Sequence, residues 1–504
     1  MHAETAYLFR HALMRDAAYG LQLPSDRARL HELAFQLIEQ AFGGRAPEPP
    51  PLDADEQPNP ARHATDVIAR ELAQHARLAS GALAPGLHVL YLQRAADFAD
   101  YTFQWTSAAD LWLELSKLLS GDKQGECVRR AAAALLHGGE WQRPEQLFAA
   151  ACETFRQSGY RAAEGAALRG LAGVYMHTGR TAMAEATTNE AVNVLAAAGN
   201  EDEYARALAN LGIVYWATGR ATLAETTTEK ALALHRQTGN RRAEAMALSN
   251  LAIQYVDTSR MELGEATHKQ ALSIYLELGD RNGQGIVLTN LGNLYRFTQR
   301  NDIAEARYHE ALAILREVGN RRYEGATLGN LAIVYAFTGR LELAESTNRQ
   351  ALAIHIETGS RAFEAGVWGN LASLHQQLGR FDSAEEMYMK SLHIHRQTGG
   401  RNLEGVALGN LASLYMETGR MAQAGEAFRQ ALAIHKATGD RRAEAAHRCD
   451  YGNYLLATGD GTAARAQWRK GAALLRELGA TDLLAGKTAK MRQECAKGGV
   501  PPFD

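Results

Sequence analysis

Four histidines share one position of a repeated segment, and imidazole nitrogens are common ligands of transition metals. They are His235, His355, His395 and His435. Equivalent atoms on neighbouring helices lie roughly 10 Å apart, whereas two ligands of one zinc ion must each lie about 2 Å from it. The row therefore predicts no metal site, and we expect these histidines to have an ordinary role on a helix surface.

Motifs for phosphate binding and hydrolysis are incomplete. Gly486-Lys487-Thr488 matches the second half of a phosphate-binding loop, but Thr481 stands where the first glycine is required. His31-Glu32 begins like a zinc-protease helix, yet no histidine follows four residues after His31. No Gly-x-Ser-x-Gly nucleophile motif is present. The sequence thus predicts no enzyme: it offers no catalytic residues, no metal site and no cofactor site.

Asparagines recur at 40-residue intervals, and each is followed by a leucine. The amide side chain has one acceptor and two donor hydrogens, so it can pair with a peptide group without reading the peptide's side chain. Asparagine inside a helix also disfavours that helix, so its recurrence at this position needs an explanation. The alternative is that each asparagine bonds to the neighbouring unit and fixes the stack. The row consists of Asn210, Asn250, Asn290, Asn330, Asn370 and Asn410.

The elements that position this row are copies of one 40-residue unit. In the unit 201–240, Leu208, Leu211 and Tyr215 have the spacing of one helix face. Thr218-Gly219-Arg220 then interrupts the pattern as a helix C-terminus, and a second helix follows. We predict an all-α, right-handed superhelical solenoid of about nine antiparallel helix pairs, preceded by a small helical region.

Two further positions of the unit have structural explanations. Recurring acids such as Glu185 and Glu305 are expected to pair with turn arginines such as Arg220 and Arg340. Only a minimal side chain lets two helix backbones approach to about 8–10 Å. We therefore expect helix crossings at the small residues that share one position, namely Gly212, Ala252, Gly292, Ala332 and Ala372.

The repeat resembles the tetratricopeptide family, whose pattern runs Asn-Leu-Gly, Tyr, Gly, Ala and Ala-Leu. The unit 201–240 reads Asn210-Leu211-Gly212, Tyr215, Gly219, Ala224 and Ala231-Leu232. The 40-residue form is similar to the repeats of kinesin light chains and G-protein-signalling modulators, which differ from the commonest family period of about 34. The resemblance implies an adaptor that holds a protein or peptide segment.

In that family the first helices of successive units line a concave groove, and the resemblance implies that the asparagine row points into it. Residues one helical turn further along are then expected to provide selectivity. The groove lacks the lysines of the family's carboxylate-clamp subtype, so we predict no capture of an acidic C-terminus. The expected selectivity residues are Trp216, Arg296, Phe297, Phe337, Gln376 and Gln377.

Composition limits the partners and the compartment. The 54 Lys and Arg against 57 Asp and Glu give a net charge of −3, so we do not expect a nucleic acid partner. No apolar run is long enough to span a membrane. Four cysteines without a CxxC pair, and an N-terminus without a signal-peptide pattern, predict reduced thiols in the cytoplasm.

The frame of the repeat divides the chain into three regions. Residues 1–120 do not follow the frame; Leu30, Leu33, Ala34 and Leu37 mark one helix there, and the Pro-rich segment 43–62 is predicted to be a flexible loop. Residues 121–480 form the predicted array. Residues 481–504 are predicted to form a C-terminal capping helix and a frayed tail.

The N-terminal region has a resemblance of its own. Phe9–Tyr19, Leu23–Ser25, Arg29–His31, Glu71–His75 and Tyr91–Ala96 resemble the segment that follows the nucleotide-binding module of large bacterial signalling ATPases. The resemblance leaves a second function open. The chain would be a regulatory or sensor arm of such an ATPase, whose nucleotide-binding module is missing or encoded separately, and residues 1–120 would dock on it.

Overall fold

A computed structural model describes residues 23–52, 62–79 and 81–503 of the chain. The chain forms two compact units, residues 1–134 and 135–504. Every regular element in these described ranges is a helix, as the sequence predicts.

The first unit holds several helices around an aromatic pair. Phe35 packs edge-on against Tyr91 with ring centroids 5.5 Å apart, and the Tyr91 hydroxyl donates to Glu39 at 2.7 Å. Because this hydroxyl is buried and beside a carboxylate, the pKa of Tyr91 rises to about 12. The elements that lie wholly within this unit are α1 (Pro24–Ala41), a 3-10 helix (Ala64–Ile68), α2 (Ala69–Leu78), α3 (Pro85–Tyr101) and α4 (Trp105–Ser116).

Helix α1 lies where the sequence predicts a helix, but the leucines that marked it are not its buried residues. Leu30, Leu33 and Leu37 are exposed, whereas Phe35 is fully buried. Residues two positions apart in a helix do not share a face, so Phe35 points away from Leu33 and Leu37. The other predicted N-terminal helix, Phe9–Leu21, lies outside the described residues.

Part of the Pro-rich segment is packed against α3. Arg94 Nη1 donates to the Pro47 carbonyl at 2.9 Å, and Gln93 Nε2 donates to the Pro50 carbonyl at 3.1 Å. Proline lacks an N–H group but keeps its carbonyl acceptor, so side-chain donors can fasten such a segment. Residues 47 and 50 thus contact α3 through their carbonyl oxygens, and the flexibility of the segment 43–62 stays a prediction. Residues 53–61 lie outside the described residues.

The array consists of helices of 17 or 18 residues joined by short turns. The odd-numbered helices below are the first helices of the units, and the even-numbered ones are the second helices. They are α5 (Gly121–His137), α6 (Gln142–Ser158), α7 (Arg161–His177), α8 (Thr181–Ala198), α9 (Glu201–Ala217), α10 (Ala221–Gln237), α11 (Arg241–Asp257), α12 (Met261–Glu277), α13 (Arg281–Phe297), α14 (Asn301–Glu317), α15 (Arg321–Phe337), α16 (Leu341–Glu357), α17 (Arg361–Gln377), α18 (Phe381–Thr398), α19 (Arg401–Glu417), α20 (Met421–Thr438), α21 (Arg441–Ala457), α22 (Gly461–Glu477) and α23 (Thr481–Lys497).

Packing within the array follows the order of the chain. From α7 to α21 each first helix packs against the second helix of its own unit and against that of the preceding unit. First helices of adjacent units also contact one another from α7 to α23, so they form one continuous surface. The predicted pairs from α7 to α22 lie within the second compact unit, and the architecture there is a tetratricopeptide-like solenoid.

The Thr-Gly-Arg turn ends the first helix in the units that contain it, as predicted. Gly219 has a left-handed φ of +76°, which glycine adopts without the Cβ penalty of other residues. Thr218 Oγ1 donates to a carbonyl of the preceding helical turn at 2.9 Å, which satisfies an acceptor that the helix end leaves open. Ser259 and Gln299 replace the glycine in two other units and keep positive φ values of 61° and 59°.

The small residues of the first helices lie where the predicted crossings require them. A Cβ atom on Gly212 would lie 2.3 Å from Thr228 Oγ1, and one on Gly292 would lie 2.5 Å from the Tyr308 ring. Ala332 at the same position is fully buried. The prediction that minimal side chains permit close helix approach is confirmed.

Distant units of the array also touch each other. Thr181 Oγ1 donates to the Thr438 carbonyl at 3.0 Å, and Ser259 Oγ donates to the Gly479 carbonyl at 2.9 Å. A Cβ atom on Gly179 would lie 2.5 Å from Asn402 Oδ1. We call these the cross-turn contacts, because they join residues that are 220 to 257 positions apart on successive turns of the solenoid.

Phe503 packs near the end of the described chain. It is buried, and its backbone N–H donates to Met491 Sδ at 3.3 Å. An aromatic ring thus covers the last helix, and the fraying of the tail stays a prediction. All four cysteines are buried and none of them forms a disulfide within the described ranges; a cytoplasmic location of the chain stays a prediction. No helix within the described ranges is long and apolar enough to cross a membrane.

Candidate ligand-binding groove

The asparagine row lies along the first helices, and each of the six side chains is half-buried. Only Asn290 forms a side-chain hydrogen bond within the described part of the chain, through Nδ2 to Ser249 Oγ of the preceding unit at 3.3 Å. The row is therefore mixed. Asn290 fits the alternative in which the amide fixes the stack, and the other five amides remain available to a ligand.

A cavity of about 630 Å³ opens on the surface of the first helices α15, α17 and α19. Asn330 and Asn370 both line it. Its apolar wall includes Ile333, Phe363 and Val367. The facing wall comes from units near the start of the array and consists of Gly139, Trp141, Met176 and His177. We call this space the inter-turn cavity, because its walls belong to two successive turns of the solenoid.

A second cavity, of about 350 Å³, contains Asn410 and Gln376. Tyr388 donates its hydroxyl hydrogen to Gln376 Oε1 at 3.1 Å, so this amide is already engaged. Lys490 of α23 also lines the cavity. The groove thus gains a positive charge that the sequence-based set of site residues omits.

The asparagine position continues beyond Asn410 with different residue types. Counting in steps of 40 gives Asp450 on α21 and Lys490 on α23. Asp450 is buried and pairs with Lys487 Nζ at 2.5 Å. The 40-residue frame was the signal that could have identified both residues as members of the same row.

The expected selectivity residues do not gather around one site. Trp216 and Phe297 are partly exposed, and Phe337 is 74% exposed. Arg296 stacks on Phe297 with its guanidinium carbon 4.4 Å from the ring centroid. Of the expected set, only Gln376 and Gln377 line either cavity. The roles of Trp216, Arg296, Phe297 and Phe337 in binding stay predictions.

The histidine row is part of the core, so the expectation of a helix-surface role is wrong. His235, His355, His395 and His435 are at most 3% exposed. They face small residues of the adjacent first helix: a Cβ atom on Gly325 would lie 2.6 Å from the His355 ring. Burial lowers the pKa of His355 to about 4 and that of His395 to about 4. The rings of His355 and His395 are therefore neutral packing groups at pH 7.

Neither of the incomplete motifs is assembled into a reactive site. Lys487 lies on α23 and is paired with Asp450, and Thr488 Oγ1 donates to the Leu484 carbonyl within the same helix. A phosphate-binding loop needs unpaired backbone N–H groups, which the middle of a helix does not offer. The described ranges contain no group of three or more His, Cys, Asp or Glu residues that could hold a metal ion.

The recurring acids pair with turn arginines, as expected. Arg220 meets Glu185 at 2.7 Å, and Arg340 meets Glu305 at 2.7 Å. The hydrogen bond from Arg220 lowers the pKa of Glu185, although burial opposes the shift. The guanidinium of Arg220 also stacks on Tyr215, 4.5 Å from the ring centroid. Each pair joins a turn to the second helix of the preceding unit. These ion pairs therefore hold adjacent units together, and their charges are not directed at a ligand.

Comparison with known families agrees with the repeat. A tetratricopeptide-repeat profile matches residues 163–237, 243–317, 284–357 and 363–415, and a second profile of the same repeat matches residues 407–442. Together they span more than half of the sequence. The chain therefore belongs to the tetratricopeptide-repeat family, and the resemblance seen in the sequence is confirmed.

Solved structures with similar folds are distant in sequence. A Rap protein complexed with Competence and Sporulation Factor is 14% identical, with 74% of this chain and 99% of the Rap chain covered and a TM-score of 0.50. This likeness shows the fold alone. BtubC from P. vanneervenii is 22% identical over 43% of this chain and 91% of its own, with a TM-score of 0.37.

A third structure contains both modules that the sequence suggests. It is a signal transduction ATPase with a tetratricopeptide repeat sensor from Pyrococcus horikoshii, 14% identical over 84% of this chain and 74% of its own, with a TM-score of 0.39. At this score the likeness carries no argument, so the relation of residues 1–120 to signalling ATPases stays a prediction. Among curated proteins, none matches this sequence.

Proposed function

We propose that the array is a non-enzymatic scaffold that binds an extended peptide segment of a partner protein along its first helices. The observation that carries the proposal is the pair Asn330 and Asn370. Both side chains line the inter-turn cavity, and neither forms a hydrogen bond with the described part of the chain.

Two amides on adjacent first helices suit a peptide backbone. Each supplies a donor and an acceptor, and the apolar wall beside them provides contact area for side chains. Volumes of roughly 300–1,000 Å³ are typical of small-ligand sites, so the inter-turn cavity has room for a few residues of an extended segment. Asn210, Asn250 and Asn410 would continue the contact along the groove.

The test replaces Asn330→Ala and Asn370→Ala together. A peptide is first selected from a phage-displayed random dodecapeptide library on the wild-type chain, and its affinity for each variant is then measured by fluorescence anisotropy. We expect the double variant to bind at least about tenfold more weakly, because each lost hydrogen bond contributes about 1 kcal/mol. Its melting temperature should not fall, since alanine favours the helix more than asparagine does.

Asn290→Ala is the matched control, because Asn290 bonds to Ser249. That variant should melt earlier than the wild type while it leaves the affinity of the peptide within about threefold, roughly 0.6 kcal/mol. Undiminished peptide binding by the Asn330→Ala/Asn370→Ala variant would contradict the proposal. So would a melting temperature that drops in that variant, because the two asparagines would then be part of the stack.

A second candidate function is the regulatory or sensor arm of a signalling ATPase, supported by the sequence resemblance of residues 9–19, 23–25, 29–31, 71–75 and 91–96. Tyr91 and Arg94 in this set are buried, and Arg94 Nε donates to Asp66 at 2.7 Å. The likeness at these positions therefore concerns the core of the first unit. Co-expression with a nucleotide-binding protein encoded next to this chain tests docking; failure of the two to co-purify counts against this candidate.

A further inference from the structure

Three units carry an arginine as the second residue of the first helix, and two of these arginines are neutralised. Arg242 meets Asp280 of the next unit at 2.7 Å. Arg442 meets Asp257 on the neighbouring turn at 3.2 Å. Arg322 occupies the same position but forms no ion pair with any acidic residue in the described part of the chain.

The frame of the repeat explains why Arg322 lacks a carboxylate. The residue that corresponds to Asp280, two units later, is Ser360. The residue that corresponds to Asp257, three units earlier, is His137, and Arg322 Nη1 donates to its backbone carbonyl. Both places that hold an acid for the related arginines hold a neutral group here.

The guanidinium of Arg322 is sheltered by aromatic side chains. Its central carbon lies 4.7 Å from the centroid of the Phe363 ring, and Nε is buried without a hydrogen-bond partner. Burial lowers the pKa values of His137, His177 and His355 to about 4. These neighbouring histidines therefore carry neither a negative nor a positive charge at pH 7.

Arg322 lines the inter-turn cavity. Asp440 is the acidic side chain on that wall; its Oδ1 accepts the Ala443 N–H at the start of α21, and it forms no ion pair with Arg322. His355 also lines the cavity, and both of its ring nitrogens are buried without a partner. A buried unpaired charge is costly, so a cavity that holds one beside unsatisfied nitrogens fits a ligand that brings the opposite charge.

We propose that the inter-turn cavity binds a carboxylate, held by Arg322, on a ligand whose apolar body lies against Trp141, Ile333 and Phe363. This inference rests on the proposed function and names the chemistry of its ligand. It departs from the sequence-based expectation that no acidic terminus is captured. That expectation considered a run of lysines, whereas the charge here comes from a single arginine between two turns.

The experiment uses the full chain and ligands in matched charged and neutral forms. One probe is a tetrapeptide mixture of Leu, Ile, Phe and Trp with an uncharged BODIPY label, made with a free C-terminal carboxylate, as the amide, and as the amide with one internal Glu. The other probe is 4-phenylbutyrate, with 4-phenylbutyramide as its neutral partner. Anisotropy reports peptide affinity, and the shift in melting temperature reports binding of the small acid.

We expect the wild type to bind at least one acidic form about tenfold more tightly than the neutral form. Arg322→Gln should abolish this preference, and Arg242→Gln should keep it, because Arg242 already has its partner Asp280. Preference for the free terminus, the internal Glu or 4-phenylbutyrate identifies the source of the carboxylate, and each of them supports the proposal.

A second variant guards against a fold defect in Arg322→Gln. Ser360→Asp retains Arg322 and supplies an internal acid at the position from which Asp280 meets Arg242. It should abolish the carboxylate preference without lowering the melting temperature. A preference that persists in both Arg322→Gln and Ser360→Asp, or the absence of any preference in the wild type, overturns the proposal.

The outcomes separate this inference from the proposed function. If peptides bind in amide and acid forms alike, and independently of Arg322, the scaffold stands and the carboxylate site falls. If 4-phenylbutyrate is the only probe that binds, and both Arg322→Gln and Ser360→Asp abolish its binding, the carboxylate site stands and the peptide scaffold falls. If none of the probes binds to the wild type, both the carboxylate site and the peptide scaffold are overturned.

Discussion

His395 is a buried histidine, and its burial favours the neutral form of the ring. It is 3% exposed, and its Nδ1 atom is buried without a hydrogen-bond partner. Burial lowers its pKa to about 4, although Glu404 opposes the shift. In the unfolded chain a histidine titrates near pH 6.5. The unfolded state therefore binds a proton that the folded state excludes between these two values.

The sign of the pH effect follows from this difference. As the pH falls from about 6.5 towards 4, the unfolded state gains protons first, so the free energy of unfolding decreases by roughly 1.4 kcal/mol per pH unit for such a group. We expect His395→Leu to reduce the loss of melting temperature between pH 7 and pH 5. Leucine fits because Leu195 and Leu315 occupy this position in other units.

The control for this prediction lies on the same helix. His393 is exposed on α18, so His393→Leu should leave the change in melting temperature between pH 7 and pH 5 as it is in the wild type. An equal acid sensitivity of the wild type and His395→Leu would mean that protonation of this ring does not drive acid destabilisation.

At the scale of elements, the stack depends on close crossings between first and second helices. Ala332 on α15 is fully buried and shares its position with Gly212 and Gly292, where any Cβ would collide with the facing helix. The crossing distance is thus fixed by the absence of side-chain volume.

Ala332→Leu should overpack the crossing of α15. Extra methylene groups in a filled core force shifts of rotamers and backbone that cost roughly 1–3 kcal/mol. We expect a lower melting temperature in thermal unfolding followed by circular dichroism. Ala353→Leu on α16 provides the control, since Ala353 is exposed and the same change there should alter stability by no more than about 0.5 kcal/mol. If both variants melt like the wild type, Ala332 does not limit the approach of the helices.

At the scale of the whole array, the cross-turn contacts add long-range order to a fold held mainly by neighbours. Solenoids are stabilised chiefly by contacts between adjacent repeats. Here Thr181 and Ser259 also bond to carbonyls of much later units, and the inter-turn cavity has walls from both turns. The cavity therefore exists only while these turns remain in contact.

Gly179→Leu should separate the two turns. A Cβ at this position would lie 2.5 Å from Asn402 Oδ1 and 2.9 Å from Thr438 Cγ2, so a larger side chain cannot fit between them. The distance between spin labels at Ala186 and Ala433, measured by double electron–electron resonance, should lengthen. Both label sites are exposed, and the four native cysteines are buried, which favours selective labelling.

Gly339→Leu is the matched control for backbone strain. Gly179 and Gly339 have similar φ values of 73° and 76°, but no atom lies within 4 Å of a Cβ built on Gly339. Both variants should therefore be strained alike, and only Gly179→Leu should change the label distance. An unchanged distribution in Gly179→Leu would show that the turns accommodate the side chain.

The sequence by itself determined the repeating parts of this protein. The helices, the turn at Gly219, the crossing at Gly212 and the pair Arg220–Glu185 were all predictable, and so was the tetratricopeptide-repeat family. Each of them depends on residues within one unit or its neighbour, and each is written again every 40 residues. A pattern that recurs every 40 residues can be recognised in the sequence without knowing how the units stack in three dimensions.

Only the tertiary structure decided which of the residues at one repeat position differ from the others in their contacts. Asn290 is bonded and Asn330 is not; Arg242 and Arg442 find acids and Arg322 finds none; the histidines are buried instead of exposed. The inter-turn cavity arises where small rotations between units accumulate until one turn meets the next, and the histidines are buried where a glycine on one helix leaves space for a ring on another. Local patterns do not encode that accumulated rotation, so the inter-turn cavity and its unpaired guanidinium become visible only when the array is folded.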